Sequence, residues 1–310
     1  MRLRLVVPGG RGRSARGRRG RLRLRLLALT AGSADPIRFD GEVVLVTGAG
    51  RGLGRSYAEL IASRGGHVVV HDAGVEQDGS GGDPSVADAV VAEIVGRGGS
   101  ASAAYENLDS REACRSVVAA TVGARGRLDV LVSNAGLARF AGIEETEPET
   151  WELLRNVHIE APLWLAQAAF PHMRRARYGR MVFTVSGHGL ERTGAADLTA
   201  YFVCKAATYG LMNALAGEGE PHGILANAVS PVAATRMYRR SAAPGELLAE
   251  HVAPGVAFLA SGRCTTSGTV LRAADGRFSI GRWATTAGVD LGREPATPED
   301  VAGRWLEIGH

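Results

Sequence analysis

Lysine is almost absent from this sequence of 310 residues. Of its 36 basic side chains, 35 belong to arginine and one belongs to lysine, at position 205. A general preference for arginine explains the other positions but not this exception. Lys205 is therefore the first candidate for a specific chemical role.

Cysteine and long apolar runs are scarce as well. The three cysteines, Cys114, Cys204 and Cys264, form neither a CxxC pair nor any other paired spacing. This argues against a disulfide framework and a zinc site, so we expect reduced thiols, no bound metal and a cytoplasmic location. No apolar run approaches the roughly 20 residues that a membrane-spanning helix needs, so we expect no membrane association.

Acidic residues are missing from the first 26 positions, which hold ten arginines. The whole chain has a formal charge of +4, but residues 27–310 contain 26 basic and 32 acidic side chains, a net charge of −6. The positive charge thus belongs to a terminal arm, and nucleic-acid binding is not expected. Three interpretations of residues 1–35 stay open: a disordered arm, an organellar targeting segment, or non-native sequence upstream of the true start.

Apolar strand-like runs alternate with helical segments from residue 43 onward. Continuous apolar strands separated by helices are typical of a parallel sheet that is covered on both faces. Right-handed crossovers then give a doubly wound α/β fold of the Rossmann type, with about seven strands and with ligands at their carboxyl ends. We assign residues 36–275 to this domain and residues 276–310 to a C-terminal extension of it. The clearest strand-like runs are VVLVT (43–47), HVVVH (67–71), LDVLVS (128–133), MVFTVS (181–186) and ILANAVS (224–230).

The C-terminal extension departs from this alternation. Thr297, followed by Pro298, Glu299 and Asp300, has the residue types of a helix N-terminus with its cap and acidic first turn. We expect a short helix there that packs over the substrate side or against a partner subunit.

A glycine-rich turn follows the first predicted strand. Its sequence, TGAGRGLG (47–54), has the pattern TGxxxGxG, in which Leu53 takes the place of the third glycine of GxGxxG. Glycines there allow a sharp turn and the close approach of a pyrophosphate, which the N-terminus of the next helix would bind. The alternative, a glycine-rich turn without a ligand, is weakened by the strand before it and the helix after it.

Asp72 ends the second predicted strand, 20 residues after Gly52. A carboxylate at this position can accept hydrogen bonds from the adenosine ribose hydroxyls, and it repels a 2′-phosphate. Arg51 is a cation that would favour the phosphate, but Asp72 would touch the hydroxyl directly. The sequence therefore favours NAD over NADP, with a simple turn role for Asp72 as the alternative.

Tyr201 and Lys205 are four residues apart on a predicted helix, so they lie on one face of it. An ammonium group beside a phenol favours the phenolate and lowers the phenol pKa from about 10 toward neutral pH. Such a tyrosine can exchange a proton with an alcohol or a ketone while hydride moves to or from nicotinamide. Ser186, at the carboxyl end of the preceding strand, could bind the same substrate oxygen.

Together these motifs resemble those of the short-chain dehydrogenases/reductases. The resemblance covers residues 38–275 and is specific, because the motifs occur in order and at suitable separations. Within that family the sequence resembles the (3R)-hydroxyacyl-CoA dehydrogenase part of peroxisomal multifunctional enzymes, through residues 71–94 and the VHIEAP segment (157–162). The matching motifs are TGAGRGLG (47–54), Asp72, SNAG (133–136), Ser186, the YFVCK segment from Tyr201 to Lys205, and Ser230 with Pro231.

The resemblance implies a role for each matching residue. Tyr201 would be the general acid/base, Ser186 would orient the substrate oxygen, and Lys205 would bind the nicotinamide ribose and lower the Tyr201 pKa. The residues expected to contact the cofactor are Thr47, Gly48, Arg51, Gly52, Leu53, Gly54, Asp72, Asn107 and Leu108 (beside the adenine), Asn134, Ala135, Gly136, Tyr201, Lys205, Pro231, Val232 and Thr235 (at the nicotinamide carboxamide).

Three features depart from the family pattern. His158 stands where the family has a catalytic asparagine, and we count it among the candidate catalytic residues: it could hold a proton-relay water or simply pack in its helix. Asn156 is near, but on an α-helix it would be turned away by about 200°. Val232 follows Pro231 where the family has glycine, and the predicted substrate loop 187–199 is longer than usual.

The sequence therefore predicts an NAD(P)-dependent oxidoreductase that interconverts a secondary alcohol and a ketone, with a 3-hydroxyacyl thioester as a candidate substrate. One alternative is an NADP-dependent reductase of 3-oxoacyl thioesters, steroids or other ketones. Another is a catalytically silent nucleotide-binding redox sensor, but Ser186, Tyr201 and Lys205 argue against it, since binding alone needs no proton donor. The resemblance also implies a homodimer or homotetramer, formed through the helices near 149–176 and 199–217.

Overall fold

A computed structural model describes residues 35–76, 78–238, 242–292 and 294–309. The chain divides into two units, residues 1–36 and residues 37–310. Of the first unit only Asp35 and Pro36 are described, so the interpretations of the arginine-rich arm concern a segment that lies almost wholly outside the described residues. Among the helices of the described part, none combines the length and the apolar character needed to cross a membrane.

An eight-stranded sheet forms the centre of the second unit, in the order β3-β2-β1-β4-β5-β6-β7-β8. Neighbours among β1 to β7 pair in parallel, and β8 pairs antiparallel to β7. The strand order reverses at β1 and β4, so the predicted doubly wound fold of the Rossmann type is confirmed. The strands are β1 (Val43–Thr47), β2 (His67–His71), β3 (Ser100–Ala104), β4 (Val130–Ser133), β5 (Gly179–Thr184), β6 (Ile224–Val232), β7 (Val270–Ala274) and β8 (Arg277–Gly281).

The sheet has eight strands where about seven were predicted, because β8 was not expected. An Asp275-Gly276 turn joins β7 to β8, with φ of 47° and 74° at its two residues. Positive φ at both central residues is what a two-residue hairpin between twisted strands requires. Four of the five β8 residues are exposed, so the strand lacks the continuous apolar run that marks its buried neighbours.

Helices cover both faces of the sheet. Side chains alternate along β1, so Val44 and Val46 enter the apolar layer beneath α1, α2 and α8, whereas Val43 and Leu45 enter the layer beneath α3, α5 and α7. The helices are α1 (Gly52–Ser63), α2 (Ser85–Gly96), α3 (Arg111–Arg125), α4 (Pro148–Arg155), α5 (Ala161–Ala176), α6 (Gly187–Leu190), α7 (Thr199–Gly219), α8 (Ala253–Ala260), α9 (Pro298–Gly303) and α10 (Trp305–Ile308).

A π-helical turn, Asn156–Glu160, separates α4 from α5. The Ala161 N–H donates to the Asn156 carbonyl oxygen, five residues back. The angle of about 200° between Asn156 and His158 assumed an α-helix, whereas the two residues lie in a π-helical turn, so the assumed helix type is wrong. Turns of this kind occur frequently at functional sites, and this one carries His158.

The C-terminal extension exposes large apolar side chains. Trp283 is 78% exposed, Trp305 65% and Leu306 76%. α9 begins after Thr297, whose hydroxyl accepts the Asp300 N–H while the Asp300 carboxylate accepts the Thr297 N–H. Where this helix packs, over the substrate side or against a partner subunit, stays a prediction.

Candidate functional site

The glycine turn after β1 is shaped by close backbone contacts. Gly48 has φ of 63°, and a Cβ added to it would lie 2.8 Å from the Ala135 Cα. A Cβ on Gly54 would lie 2.6 Å from the Asn134 amide nitrogen and still closer to the Gly48 carbonyl oxygen. α1 begins at Gly52 with no side-chain cap and no acid in its first turn. The turn thus leaves helix N–H groups and a positive dipole end available to a phosphate.

Thr47 and Asn134 join this turn to the end of β4. The Asn134 and Ala135 N–H groups donate to the Thr47 hydroxyl at 3.0 and 3.1 Å. The Asn134 side-chain amide donates to the carbonyl oxygens of Thr47 and Gly48 at 3.0 and 3.1 Å. These bonds fix the carboxyl ends of two neighbouring strands, where ligands of such sheets bind.

Asp72 lies beside the glycine turn. Its carboxylate oxygens accept the N–H groups of Gly50 and Gly74, each at 2.9 Å. Hydrogen bonds from Ser85 and, less strongly, the charge of Arg51 lower the pKa of the Asp83 carboxyl, so this carboxylate lies near the Arg51 cation. A carboxylate beside Arg51 offsets part of the attraction that this cation would have for a 2′-phosphate.

Lys205 is buried on α7 and points at the end of β5. Its ammonium donates to the Thr184 carbonyl oxygen at 2.8 Å and lies 5.6 Å from the centre of the Tyr201 ring. The residue is 4% exposed, and burial lowers its pKa to about 8. An amine with this pKa is still mostly charged at neutral pH and can favour an anion beside it.

Tyr201 and Ser186 meet at the same end of the sheet. Burial raises the Tyr201 pKa to about 12, a hydrogen bond with Ser186 lowers it, and Cys204 raises it slightly further. The prediction that Lys205 brings this pKa below 10 is wrong for this structure, because desolvation of the phenol outweighs the other effects. The three predicted catalytic side chains are nevertheless brought together.

His158 packs directly against Tyr201. The two rings meet edge to face at 5.4 Å and 88°, and His158 is 1% exposed. Its Nε2 lies 2.7 Å from the Leu137 carbonyl oxygen, so this nitrogen carries the proton and donates to that oxygen. Burial, and then the charge of Lys205, hold the His158 pKa well below its usual value, so the ring is neutral.

The remaining predicted residues lie along the same edge of the sheet, with unequal exposure. Asn107 is exposed and donates to Asp109 at 3.1 Å, whereas its neighbour Leu108 is 7% exposed. Val232, at the end of β6, is 44% exposed. Thr235 packs over the glycine turn, since a Cβ on Gly52 would lie 3.3 Å from its methyl carbon.

Thr184 was not predicted from the sequence. Its carbonyl oxygen holds Lys205, and its hydroxyl is buried with no hydrogen-bond partner among the residues that the structure describes. Leu137, whose carbonyl oxygen orients His158, was missed too. Both residues hold their partners through backbone oxygens, so side-chain identity gives no signal for these two contacts.

A nicotinamide dinucleotide fits the residues present. The phosphates require a turn without side chains and with free helix N–H groups, as Gly48, Gly52 and Gly54 provide. The orphaned Thr184 hydroxyl lies beside Lys205, where a polar ligand group would supply its missing partner.

Comparison with known proteins agrees with this geometry. A family model described as short chain dehydrogenase matches residues 42–244. A peroxisomal multifunctional enzyme type 2 of Mus musculus is 38% identical over 281 residues, which make up 89% of this chain and 37% of that enzyme. A putative short-chain type dehydrogenase/reductase of Mycobacterium tuberculosis is 37% identical over 269 residues, 86% of this chain and 93% of that protein.

Solved structures agree as well. A short chain dehydrogenase from Mycobacterium avium superposes with a TM-score of 0.76 at 32% identity, covering 87% of this chain and 95% of that one. The chain spans little more than a third of the mouse enzyme but nearly all of the two mycobacterial proteins. The predicted similarity to peroxisomal multifunctional enzymes is confirmed. The chain belongs to the short-chain dehydrogenase/reductase family of oxidoreductases, which are built on a nucleotide-binding Rossmann fold.

Proposed function

We propose that the chain is an NAD-dependent oxidoreductase that interconverts a secondary alcohol and a ketone, with Tyr201 as general acid/base. The observation that carries this proposal is the meeting of Tyr201, Ser186 and the buried ammonium of Lys205 at the carboxyl end of β5. A proton donor, a hydrogen-bonding hydroxyl and a cation beside a nucleotide-binding turn are the parts that carbonyl reduction needs.

Each side chain has a distinct part in this chemistry. When bound, the nicotinamide supplies or accepts the hydride at the carbinol carbon. In alcohol oxidation, the Tyr201 phenolate removes the hydroxyl proton, and in ketone reduction the phenol returns it to the carbonyl oxygen. The Ser186 hydroxyl holds that oxygen, and the Lys205 ammonium favours the phenolate.

His158 takes a positioning role in this proposal. It is neutral, buried, and oriented by the Leu137 carbonyl, and its edge-to-face contact fixes the plane of the Tyr201 ring. Its backbone carbonyl accepts a hydrogen bond from the Thr208 hydroxyl at 2.7 Å, which ties the π-helical turn to α7. In this proposal the His158 ring supports Tyr201, the acid/base, from the position at which the family has a catalytic asparagine.

Similarity to peroxisomal multifunctional enzymes supports a 3-hydroxyacyl thioester as the substrate class. The test follows NADH absorbance with purified protein and three kinds of alcohol: (3R)-hydroxyacyl-CoA thioesters, hydroxysteroids and small secondary alcohols. We expect NAD-dependent turnover with the thioesters preferred. Preference for a steroid, or for NADP, would favour the ketone-reductase alternative. Tight NADH binding without turnover of any alcohol would favour the redox sensor.

NAD is proposed over NADP because the Asp72 carboxylate lies beside the glycine turn, where it would repel a 2′-phosphate, and because Asp83 lies near the Arg51 cation. Replacing Asp72 by asparagine keeps the shape of the side chain but removes its charge, so the Kd of NADH should rise by about tenfold while that of NADPH falls. Fluorescence titration with NADH and NADPH measures both. Asp40→Asn, the same charge change on an exposed residue that pairs with Arg38, is the control and should change neither Kd. An unchanged ratio of the two affinities in Asp72→Asn would refute the role of Asp72.

We also propose a homodimer or homotetramer. The C-terminal extension exposes Trp283, Trp305 and Leu306, and a contact with another subunit would remove this apolar surface from water. Sedimentation at micromolar concentration should therefore show an oligomer, and a monomer under those conditions would contradict this proposal.

A further inference from the structure

The hydroxyl of Ser186 is tied to the short helix α6. Its oxygen accepts the His188 N–H at 3.2 Å and so caps the first turn of that helix. The Ser186 carbonyl oxygen accepts the Gly189 N–H at 3.0 Å. The place of this hydroxyl in the site therefore depends on where α6 lies.

α6 lies directly on the backbone of α7. A Cβ added to Gly189 would lie 2.6 Å from the Ala206 nitrogen, 2.7 Å from the Lys205 carbonyl carbon and 2.8 Å from the Lys205 Cβ. The φ of Gly189 is outside the left-handed region, so conformational freedom is not the reason for glycine here. The reason is space, since backbone atoms cannot move aside as the end of a flexible side chain can.

The other attachments of α6 are weaker. Glu191, just after the helix, pairs with Arg272 at 2.9 Å, but both side chains are 48% exposed, and such pairs contribute at most about 1 kcal/mol. His188 binds the Thr193 hydroxyl at 2.8 Å, a contact within the same loop that does not reach α7. The ring of His188 also packs on Phe202 of α7 at 5.0 Å, a contact that a rotation of the side chain can loosen. Leu190 of α6 packs, partly buried, against the apolar layer beneath α3, α5 and α7. The contact at Gly189 is the one that brings α6 directly against the backbone of α7.

We propose that Gly189 is a positioning residue that holds Ser186 against Tyr201 through the backbone contact between α6 and α7. The inference rests on the proposed function, because the group that Gly189 would position is the Ser186 hydroxyl, which acts on the substrate oxygen. Gly189 itself touches neither the substrate nor the reacting atoms in this role.

Loss of this contact has a definite effect on Tyr201. Within the described part of the chain, four groups face its phenol: Ser186 from the end of β5, His158 from the π-helical turn, and Cys204 and Lys205 from α7. Of these, Ser186 lowers the pKa of Tyr201 and Cys204 raises it. If α6 moves away from α7, the hydrogen bond from Ser186 is lost and the pKa of Tyr201 rises.

The test compares Gly189→Ala with Gly123→Ala, an exposed glycine of α3 whose added Cβ would meet nothing within 4 Å. Gly189→Ala should lower kcat by up to about 100-fold and shift the rising limb of alcohol oxidation to higher pH, with the Kd of NADH unchanged. Gly123→Ala should match the unmodified protein in kcat, in the pH profile and in the Kd of NADH. In a Ser186→Ala background, Gly189→Ala should have little further effect, because its action passes through Ser186.

A second measurement needs no turnover. The ionisation of Tyr201 is followed as phenolate absorbance after a rapid pH jump, as the difference from a Tyr201→Phe protein, and Gly189→Ala should raise that pKa. An unchanged pKa would overturn the proposal, and so would a raised Kd of NADH, since the added methyl would then act through Lys205. If the unmodified protein turns over no alcohol, the proposed function fails, but this titration still decides the positioning.

A different variant covers the case in which Gly189→Ala does not fold. Proline is tolerated in the first turn of a helix, so His188→Pro removes the N–H that Ser186 accepts while leaving the contact with α7 in place. The pKa of Tyr201 should be higher in His188→Pro than in His188→Ala. The alanine variant loses the same ring but keeps the N–H. Equal values in these two variants would contradict the coupling of Ser186 to α6.

Discussion

Replacing Tyr201 by phenylalanine should lower kcat by about 1,000-fold while leaving NADH binding nearly unchanged. The substitution removes only the phenol oxygen, so the ring keeps its contact with His158 and its position near Lys205. What is lost is the group that exchanges a proton with the substrate oxygen. Initial rates from NADH absorbance measure the first effect, and fluorescence titration of NADH measures the second.

Tyr209→Phe is the matched control. This tyrosine lies two turns further along α7 and packs, partly buried, against the layer of α3 and α5. Its substitution should leave kcat close to that of the unmodified protein. Comparable losses in both variants would show that α7 is merely sensitive to change, and would remove the assignment of Tyr201 as general acid/base.

The pH dependence of the same reaction has a predictable sign. Burial raises the Tyr201 pKa to about 12, so the phenol is the main form at neutral pH. Alcohol oxidation needs the phenolate and should therefore become faster as the pH rises. Ketone reduction needs the phenol, so its rate should not increase with pH. In Tyr201→Phe the residual oxidation should lose this dependence. Oxidation that slows with rising pH in the unmodified protein would contradict the assignment.

Gly54→Ala should weaken NADH binding by about 100-fold, the second large effect expected for this protein. The added methyl would meet the Gly48 carbonyl oxygen and the Asn134 amide nitrogen, which belong to the backbone of the turn and to the side chain that fixes it. Either α1 moves away or the turn opens, and both changes displace the N–H groups that would bind the phosphates. Fluorescence titration of NADH measures the loss.

Gly123→Ala on α3 is the matched control for this substitution. Gly123 is exposed within a helix, and an added Cβ would meet nothing within 4 Å. Alanine there should raise stability by about 0.5–1 kcal/mol without any effect on NADH affinity. If Gly54→Ala bound NADH as tightly as this control does, the turn would not be the phosphate site.

The fold was predictable because its strands are buried on both faces. Each of β1, β2, β4 and β5 is a nearly continuous apolar run, and no competing pattern obscures it. Strand β8, which was not predicted, is mostly exposed. It forms because the Asp275-Gly276 turn brings it beside its one neighbour, β7. The π-helical turn escaped for a related reason, since one extra residue in a helical turn leaves no mark on composition or spacing.

The site was predictable in its residues but not in its electrostatics. The rarity of lysine and the spacing of Tyr201 and Lys205 placed two side chains on one face of a helix, and the sequence already placed Ser186 at the end of the preceding strand. The direction of the Tyr201 pKa was not predictable, because burial is a property of the surrounding chain and not of the motif. The sequence gives no sign of the carbonyl oxygens through which Thr184 and Leu137 act. It also does not show that Gly189 matters because it has no Cβ.

The cellular location and the oligomeric state are not determined by the fold of a single chain. A cytoplasmic location, inferred from unpaired cysteines, stays a prediction, and the mouse relative carries the word peroxisomal in its name. The homodimer or homotetramer also stays a proposal, supported by the exposed tryptophans of the C-terminal extension.

The burial of Lys205 has a consequence for covalent chemistry on the folded protein. Because this is the one lysine of the chain and is 4% exposed, the native surface offers amine-directed reagents no lysine side chain at all. Apart from the amino terminus, acylation can then proceed only when the end of β5 separates from α7. The rate at which Lys205 is modified therefore measures how often the active site opens locally. A bound ligand that covers the amine would lower this rate.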